Sequence, residues 1–234
     1  MSLIVAENID KDYQTGEIIT RALRGVSFDI EPSSFVSFVG PSVSGKTTLL
    51  NLIGCLDKPT HGKLTVADTD VSTLDQKQGA SFRGNHIGFI FQDFNLIPVL
   101  TAYENIEYPL VMVQNLPTQQ RKERVMSLLE AVGMGEQKDK HPGQISGGQK
   151  QRVAVARALV TNPNVVIADE PTANLDRKTA RMVIELMKKM RDESGTTFIF
   201  STHDPRVVSE AEIIFALEDG ELISRQAKGG TGDV

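Results

Sequence analysis

At 234 residues, 40% of them hydrophobic and 24% charged, the chain has the composition of a globular protein with a sizeable core. A formal net charge of -5 and a pI near 5.5 argue against electrostatic capture of nucleic acid and against a bare anionic lipid surface as partner. The single cysteine, Cys55, excludes an internal disulfide, suits a reducing compartment, and reads as packing between Gly54 and Leu56 rather than as a reactive thiol.

The first segment, Met1 to Asp12, has no basic start and acquires Glu7 and Asp10, unlike a secretory signal. No apolar run approaches the ~18 residues of a spanning helix. The expectation is a soluble, cytoplasmic protein that reaches a membrane only through a partner. Strand patterns follow near Ile4–Ile9, Gly25–Ile30 and Phe35–Val39, then at Lys63–Val66 and His86–Phe91. One helix interrupts them, beginning at a glycine-rich loop and running through Thr48 to Ile53, ended by Gly54, Pro59 and Gly62.

Between that third strand and the helix lies Gly40-Pro41-Ser42-Val43-Ser44-Gly45-Lys46-Thr47, which fits the strand, G-x-x-x-x-G-K-S/T, helix pattern. Successive backbone N–H groups and a helix N-terminus make an anion site there. Lys46 neutralises terminal phosphates, and the Thr47 hydroxyl can ligate Mg²⁺. The loop indicates a nucleotide site without fixing the reaction.

From about Thr101 to His141 the pattern turns helical. In Gln119–Gly133, Val125, Leu128, Leu129 and Val132 recur at three- and four-residue steps, and Arg121, Lys122, Glu123 and Arg124 read as a solvated face. Ile145-Ser146-Gly147-Gly148-Gln149 then precedes a helix over Lys150–Val160. It is a second glycine-bearing helix start, and both a phosphate site and a turn with an N-cap are consistent with it.

The last part alternates strand and helix. Strands are expected at Val165–Ala168, Thr197–Phe200 and Ile213–Leu217, helices at Lys178–Asp192 and Pro205–Ala211, and a hairpin through Asp219-Gly220. Such alternation indicates a mostly parallel sheet with covered faces. The first of these strands ends in Asp169-Glu170. Alone, such a pair more often caps a helix; beside a phosphate loop, Asp169 would hold the Mg²⁺ shell and Glu170 would activate or orient water. The tail from Ala227 to Val234 is expected to fray.

With these motifs in this order, the sequence resembles the ATP-binding-cassette (ABC) ATPase family, from about Leu3 to Leu222. The family's Leu-Ser-Gly-Gly-Gln signature stands as Ile145-Ser146-Gly147-Gly148-Gln149. Gln92 in Phe91-Gln92-Asp93 matches the Q-loop glutamine, Ala173-Asn174-Leu175-Asp176 the D-loop, and His203 in Ser201-Thr202-His203-Asp204 the switch histidine. Tyr13 is placed like the adenine-stacking aromatic.

The resemblance implies a P-loop NTPase fold of the α/β class. It would have a mostly parallel core sheet, an N-terminal antiparallel β subdomain and a helical insert over about residues 100–160, all within one cassette domain spanning residues 1–226. It implies ATP and Mg²⁺ as cofactors. Gly40 to Thr48, Tyr13, Gln92 and Asp176 would contact nucleotide, Thr47, Gln92 and Asp169 the metal, with Glu170 as general base and His203 sensing the γ-phosphate. Two cassettes, as a homodimer or with a different cassette as partner, would sandwich two ATP molecules, each site completed by Ser146 to Gln149 of the other cassette.

The stretches Ile53–Gly62 and Phe94–Asn105 look like the lipoprotein-release and macrolide-export branch. That likeness implies a membrane permease, docked around Gln92 and the helical insert, and a peripheral place on the inner face of the membrane. DNA-repair cassettes carry long coiled coils, absent here, and translation cassettes usually come in pairs. A kinase or GTPase is disfavoured by Ser146 to Gln149, and a regulator without catalysis by the presence of both Glu170 and His203. Relatives usually carry glycine at position 43; if that position needs a positive φ, Val43 stores ~1–3 kcal/mol of strain and weakens ATP binding.

Overall fold

The computed structural model describes residues 1–228. Strands β1 (Ile4–Thr15), β2 (Ile18–Ile30), β4 (His61–Val66) and β5 (Thr69–Asp70) form an antiparallel sheet in the order β2-β1-β4-β5. A second sheet takes β3 (Phe35–Val39), β6 (Ile87–Ile90), β7 (Val165–Asp169), β8 (Thr197–Ser201), β9 (Ile213–Glu218) and β10 (Glu221–Ala227). Its order is β10-β9-β3-β8-β7-β6, parallel except for the β9–β10 hairpin.

The parallel strands are apolar along their length because both faces are covered. Side chains alternate between two cores, as the period of two requires. Val36, Phe38, Val165, Ile167 and Ile199 face the antiparallel sheet and helix α1 (Lys46–Ile53). Phe35, Val166, Ala168, Phe198 and Phe200 face helices α5 (Gly147–Leu159) and α6 (Arg177–Ser194). The two sheets are locked together by a triangle of rings, Phe28, Phe38 and Phe215, with centroids 5.2–5.5 Å apart.

A third core joins α3 (Ala102–Pro109), a π-helical turn (Leu110–Gln114), α4 (Thr118–Ala131) and α5 through Ile106, Leu110, Val125, Leu129, Val153 and Ala156. Because α5 buries Val155, Ala158 and Leu159 against the sheet and Val153 and Ala156 against these helices, it ties the helical layer to the strands. The antiparallel β layer, the parallel sheet and the helical segment of the expected fold are all present.

Several boundaries differ from expectation for local reasons. β1 and β2 run on as an exposed hairpin to Thr15 and Ile18, past the apolar alternation, with register shifts between Ile9 and Asp12. Helix α2 (Gln76–His86) buries only Gly79 and Phe82, so it shows no apolar stripe; its one signal is the Asp75/Gln78 capping box. Because α2 runs to His86, β6 begins at Ile87. Helix α7 is a single turn, Pro205–Val208, and α5 starts at Gly147 rather than Lys150. The charged cluster on α4 is only half solvated: Arg121 pairs with Glu107 at 2.9 Å, and Arg124 donates to Gln114 at 3.3 Å. Ala227 closes β10 and the Lys228 N–H donates to the Glu212 carbonyl, so the expected frayed tail falls at its start on ordered strand and otherwise lies outside the described residues.

Candidate nucleotide site

Adjacent parallel strands deliver their C-terminal ends to one edge of the sheet. The phosphate loop follows β3, Glu170 follows β7, Thr202-His203 follows β8 and Gln92 follows β6. Helix α1 starts at Gly45 with a left-handed φ of 102°, no side-chain cap and no acid in its first turn. By contrast, α2, α3, α5 and α6 start on Asp75, Thr101, Ser146 and Asp176, each accepting a backbone N–H. The amides at the start of α1 thus keep their capacity for an anion.

Gly40 and Gly45 are glycines for steric reasons. At Gly40, φ is 148° and an added Cβ would strike the Leu217 carbonyl oxygen; at Gly45 it would lie 2.7 Å from that of Ala22. Val43 adopts the positive φ that its place in the loop suggested, 69°, and its side chain is fully exposed. Lys46 Nζ donates to the carbonyls of Gly40 (2.9 Å) and Pro41 (2.7 Å) and lies 3.3 Å from Ser44 Oγ. All three partners are neutral, so its charge is uncompensated within the loop. Tyr13, Arg21, Arg24, Gly220 and the backbone from Val43 to Thr48 surround a cavity of about 370 Å³ over it.

Across the sheet edge, the Thr47 hydroxyl donates to Asp169 Oδ2 at 3.3 Å, and Ser201, which sequence reading did not single out, donates to Asp169 Oδ1 at 2.5 Å. Glu170 sits at a positive φ of 48° and donates its N–H to the Ser201 carbonyl at 3.1 Å. Its Oε1 lies 2.8 Å from His203 Nδ1; a carboxylate only accepts, so Nδ1 carries the proton. That hydrogen bond, and then the charge of Glu170, raise the His203 pKa.

The Gln92 carbonyl accepts from Asn174 Nδ2 at 3.1 Å, and the same amide donates to Asp93 Oδ1 at 2.9 Å. Arg157 of α5 holds the turn beyond: its guanidinium donates to the carbonyls of Asn95 (2.5 Å) and Phe94 (2.8 Å), both residues at positive φ. Burial lowers the Arg157 pKa to about 10.

Ser146 caps α5, accepting from Gln149 N at 3.3 Å, while Gln149 Oε1 accepts from Ser146 N at 2.9 Å. Gly148 packs so closely on Thr179 that a Cβ would strike its methyl, and Gly147 faces Leu175 and Phe94. None of Ser146 to Gln149 lines the cavity over Lys46. Asp176 caps α6, accepting from the N–H groups of Lys178 (3.0 Å) and Thr179 (3.1 Å) and from the Thr179 hydroxyl (2.6 Å). Cys55 is partly buried, and burial lifts its thiol to about 11, consistent with packing rather than reactivity.

The ABC transporter family model matches residues 23–173, a span that holds the phosphate loop, the Ser146–Gln149 turn and the Asp169-Glu170 pair. The chain belongs to the ABC transporter family. It is an ATP-binding cassette, an ATPase that powers transport. It is 44% identical over 227 residues to an uncharacterized ABC transporter ATP-binding protein of Thermotoga maritima, covering 96% of each chain. Identity is also 44% to the macrolide export ATP-binding/permease protein MacB of Syntrophobacter fumaroxidans; all of this chain aligns there, with 33% of the relative's length. Its fold is similar to the dimeric cassette MJ0796 described in a post-hydrolysis state with ADP and Pi, with a TM-score of 0.88, 42% identity, and 97% and 100% of the two chains covered.

Two outcomes follow from this cassette's geometry. The His203–Glu170 ion pair exists below the raised His203 pKa and is lost as pH rises through it. An NMR titration of the His203 ring is therefore expected to show a lower midpoint in Glu170→Gln than in the unaltered chain. At Val43, glycine relieves about 1–3 kcal/mol of backbone strain and returns about 0.5–1 kcal/mol through unfolded-state entropy. With no packing lost, Val43→Gly should raise stability to urea by ~1 kcal/mol and tighten ATP binding; an unchanged ATP dissociation constant rejects the binding effect.

Proposed function

We propose that this cassette hydrolyses Mg²⁺-ATP between two copies packed head to tail and drives an export or lipoprotein- and lipid-extraction permease. The observation that carries the catalytic part is Glu170, held by His203 at 2.8 Å directly after an Asp169 that reaches the Thr47 hydroxyl of the phosphate loop. A carboxylate at that place can accept the proton of an attacking water. The hydrogen bond to His203 orients it.

The donors Thr47, Asp169 and Gln92 are oxygens, the ligand type Mg²⁺ prefers, and so few protein ligands fit an ion that keeps waters and phosphate oxygens. Bound by them, Mg²⁺ would neutralise charge developing on the β- and γ-phosphates. Lys46 would bind the same oxygens, and the α1 amides with Gly40 to Thr48 would cradle the chain of phosphates. Tyr13 would stack on the adenine, and Asp176 would lie at the seam between the two copies.

Ser146 to Gln149 do not line the Lys46 cavity of their own chain, which supports the reading in which a second copy supplies them. The dimeric relative MJ0796 supports this reading. The permease reading rests on an apolar face beside the Gln92 turn. Tyr108, Val111, Met112 and Val113 are 41–63% exposed there, next to a cleft of about 220 Å³ lined by Phe91, Asn95, Pro109, Val113 and Arg157. Among the described residues no helix is long and apolar enough to cross a membrane. A spanning partner docked on this exposed apolar surface would hold the cassette at the inner face of the membrane. The relatives named MacB combine ATP-binding and permease parts in one protein, which supports the export branch.

Glu170→Gln tests the catalytic assignment. ATP binding should persist, phosphate release should fall by about 10²- to 10⁴-fold, and ATP should trap a dimer visible by size exclusion. Turnover near that of the unaltered chain sinks it. Met112→Glu tests docking: it should abolish co-purification of an integral membrane protein while leaving ATP binding intact, and retention of a ribosomal or DNA partner instead would overturn the permease reading.

A further inference from the structure

Tyr13 is fixed by two charged neighbours whose place no motif announces. Its phenol donates to Asp57 Oδ2 at 3.0 Å. Lys11 Nζ lies 4.8 Å from the centre of its ring and donates to Asp57 Oδ1 at 2.7 Å and to the Lys58 carbonyl at 2.8 Å. The Lys11 side chain is 12% exposed, so this ammonium sits over the ring with little water to compete. Burial pushes the Asp57 carboxyl up, but the hydrogen bonds from Lys11, the Lys58 N–H and Tyr13 outweigh it and hold it below the ordinary range.

Asp57 is itself anchored to the phosphate-loop helix. Its N–H donates to the Asn51 carbonyl at 3.3 Å, as does that of Leu56 at 2.9 Å. The following residues are laced to β1 by Thr60 N to the Asp10 carbonyl (2.8 Å) and Asp12 N to Thr60 Oγ1 (2.9 Å). A rigid path therefore runs from α1 through Asp57 to the Tyr13 ring. Lys11 does not line the cavity over the phosphate loop, whereas Tyr13 does. Lys11 occupies one face of the ring, which leaves the other face for a ligand.

We propose that Asp57 and Lys11 are positioning residues for the nucleotide base: Asp57 sets the distance and tilt of Tyr13 relative to the phosphate loop, and Lys11 closes one ring face. The Lys11 charge also draws electron density from the ring, which favours stacking of an electron-rich purine on the open face. This inference rests on the reading of Tyr13 as the base-stacking residue, and it adds what makes that tyrosine selective. The base contributes to affinity only if the ring waits at a fixed distance from the phosphates, because ordering a loose ring on binding lowers affinity.

The test compares dissociation constants of the full chain for ATP and for inorganic tripolyphosphate, which has no base, at fixed Mg²⁺. Asp57→Asn, Lys11→Met and Tyr13→Phe should each weaken ATP by about three- to tenfold and leave tripolyphosphate unchanged. Tyr13→Phe removes a single hydroxyl and so keeps the fold. The loss in the Asp57→Asn/Tyr13→Phe double variant should be smaller than the product of the two single losses, because the two residues share the Tyr13–Asp57 hydrogen bond. If Tyr13→Ala binds ATP as tightly as the unaltered chain, the stacking reading itself fails. If Tyr13→Ala weakens ATP but Asp57→Asn and Lys11→Met do not, the positioning roles are overturned. A parallel loss of tripolyphosphate affinity also overturns them, since it marks a general structural defect.

Discussion

Everything at this site depends on how tightly the phosphate loop is wedged between two other pieces of backbone. Gly40 lies against the Leu217 carbonyl of β9, and Gly45 against Ala22 of β2, so neither position has room for a Cβ. Gly220, in the β9–β10 turn, closes the third side: its N–H donates to the Ser44 carbonyl at 3.1 Å, and its own carbonyl accepts from Arg24 N at 2.8 Å. The path of the loop is therefore fixed from behind, with the Ser44 amide turned inward to the Pro41 carbonyl at 3.3 Å. It stays open toward ligand because the antiparallel sheet and the final hairpin hold it from behind. A strained residue such as Val43 is tolerated at its crest for the same reason, as the surroundings over-determine the backbone.

The remaining chemistry is arranged by strand order. β3, β8, β7 and β6 are neighbours, and each ends in a group with a part in the proposed reaction: Lys46 and Thr47, His203, Asp169 and Glu170, then Gln92. Glu170 completes the turn at a positive φ, a conformation that residues other than glycine rarely adopt. The next residue, Pro171, presents its carbonyl to Gln151 of α5 at 2.6 Å, while Arg157 of the same helix grips the turn after Gln92. Helix α5 thus contacts both the residue after Glu170, the proposed base, and the turn that faces the proposed permease, and its own first residues are those proposed to complete the site of a second cassette.

Local sequence was legible where a single element carries its own signal. The phosphate loop, the helices α4 and α6 and the buried strands of the parallel sheet were readable because apolar period, turn residues and motif spacing agree. Helix α2 was not, since almost nothing in it is buried and only the Asp75/Gln78 box marks it. The outer halves of β1 and β2 were missed for the same reason: exposed strand residues carry no alternation. Among site residues, Ser201 stood inside a quoted motif without a role, whereas Lys11, Asp57 and Arg157 look like ordinary surface charges in a list of residues. Their significance lies in partners 46 and 62 positions away.

Sequence alone determined the class of ligand and the family, because a glycine-lysine loop between a strand and a helix, followed in order by Gln92, Ser146 to Gln149, Asp169-Glu170 and His203, leaves little else for these residue types to do. It also exposed Val43 as an oddity. Only tertiary structure decided which charges are tied down, that Glu170 holds His203 and that Tyr13 is held by Asp57 beneath Lys11. Those facts depend on hydrogen bonds between strands distant in the chain. No local pattern can encode such a bond, since its geometry exists only after the sheet has brought the two partners together.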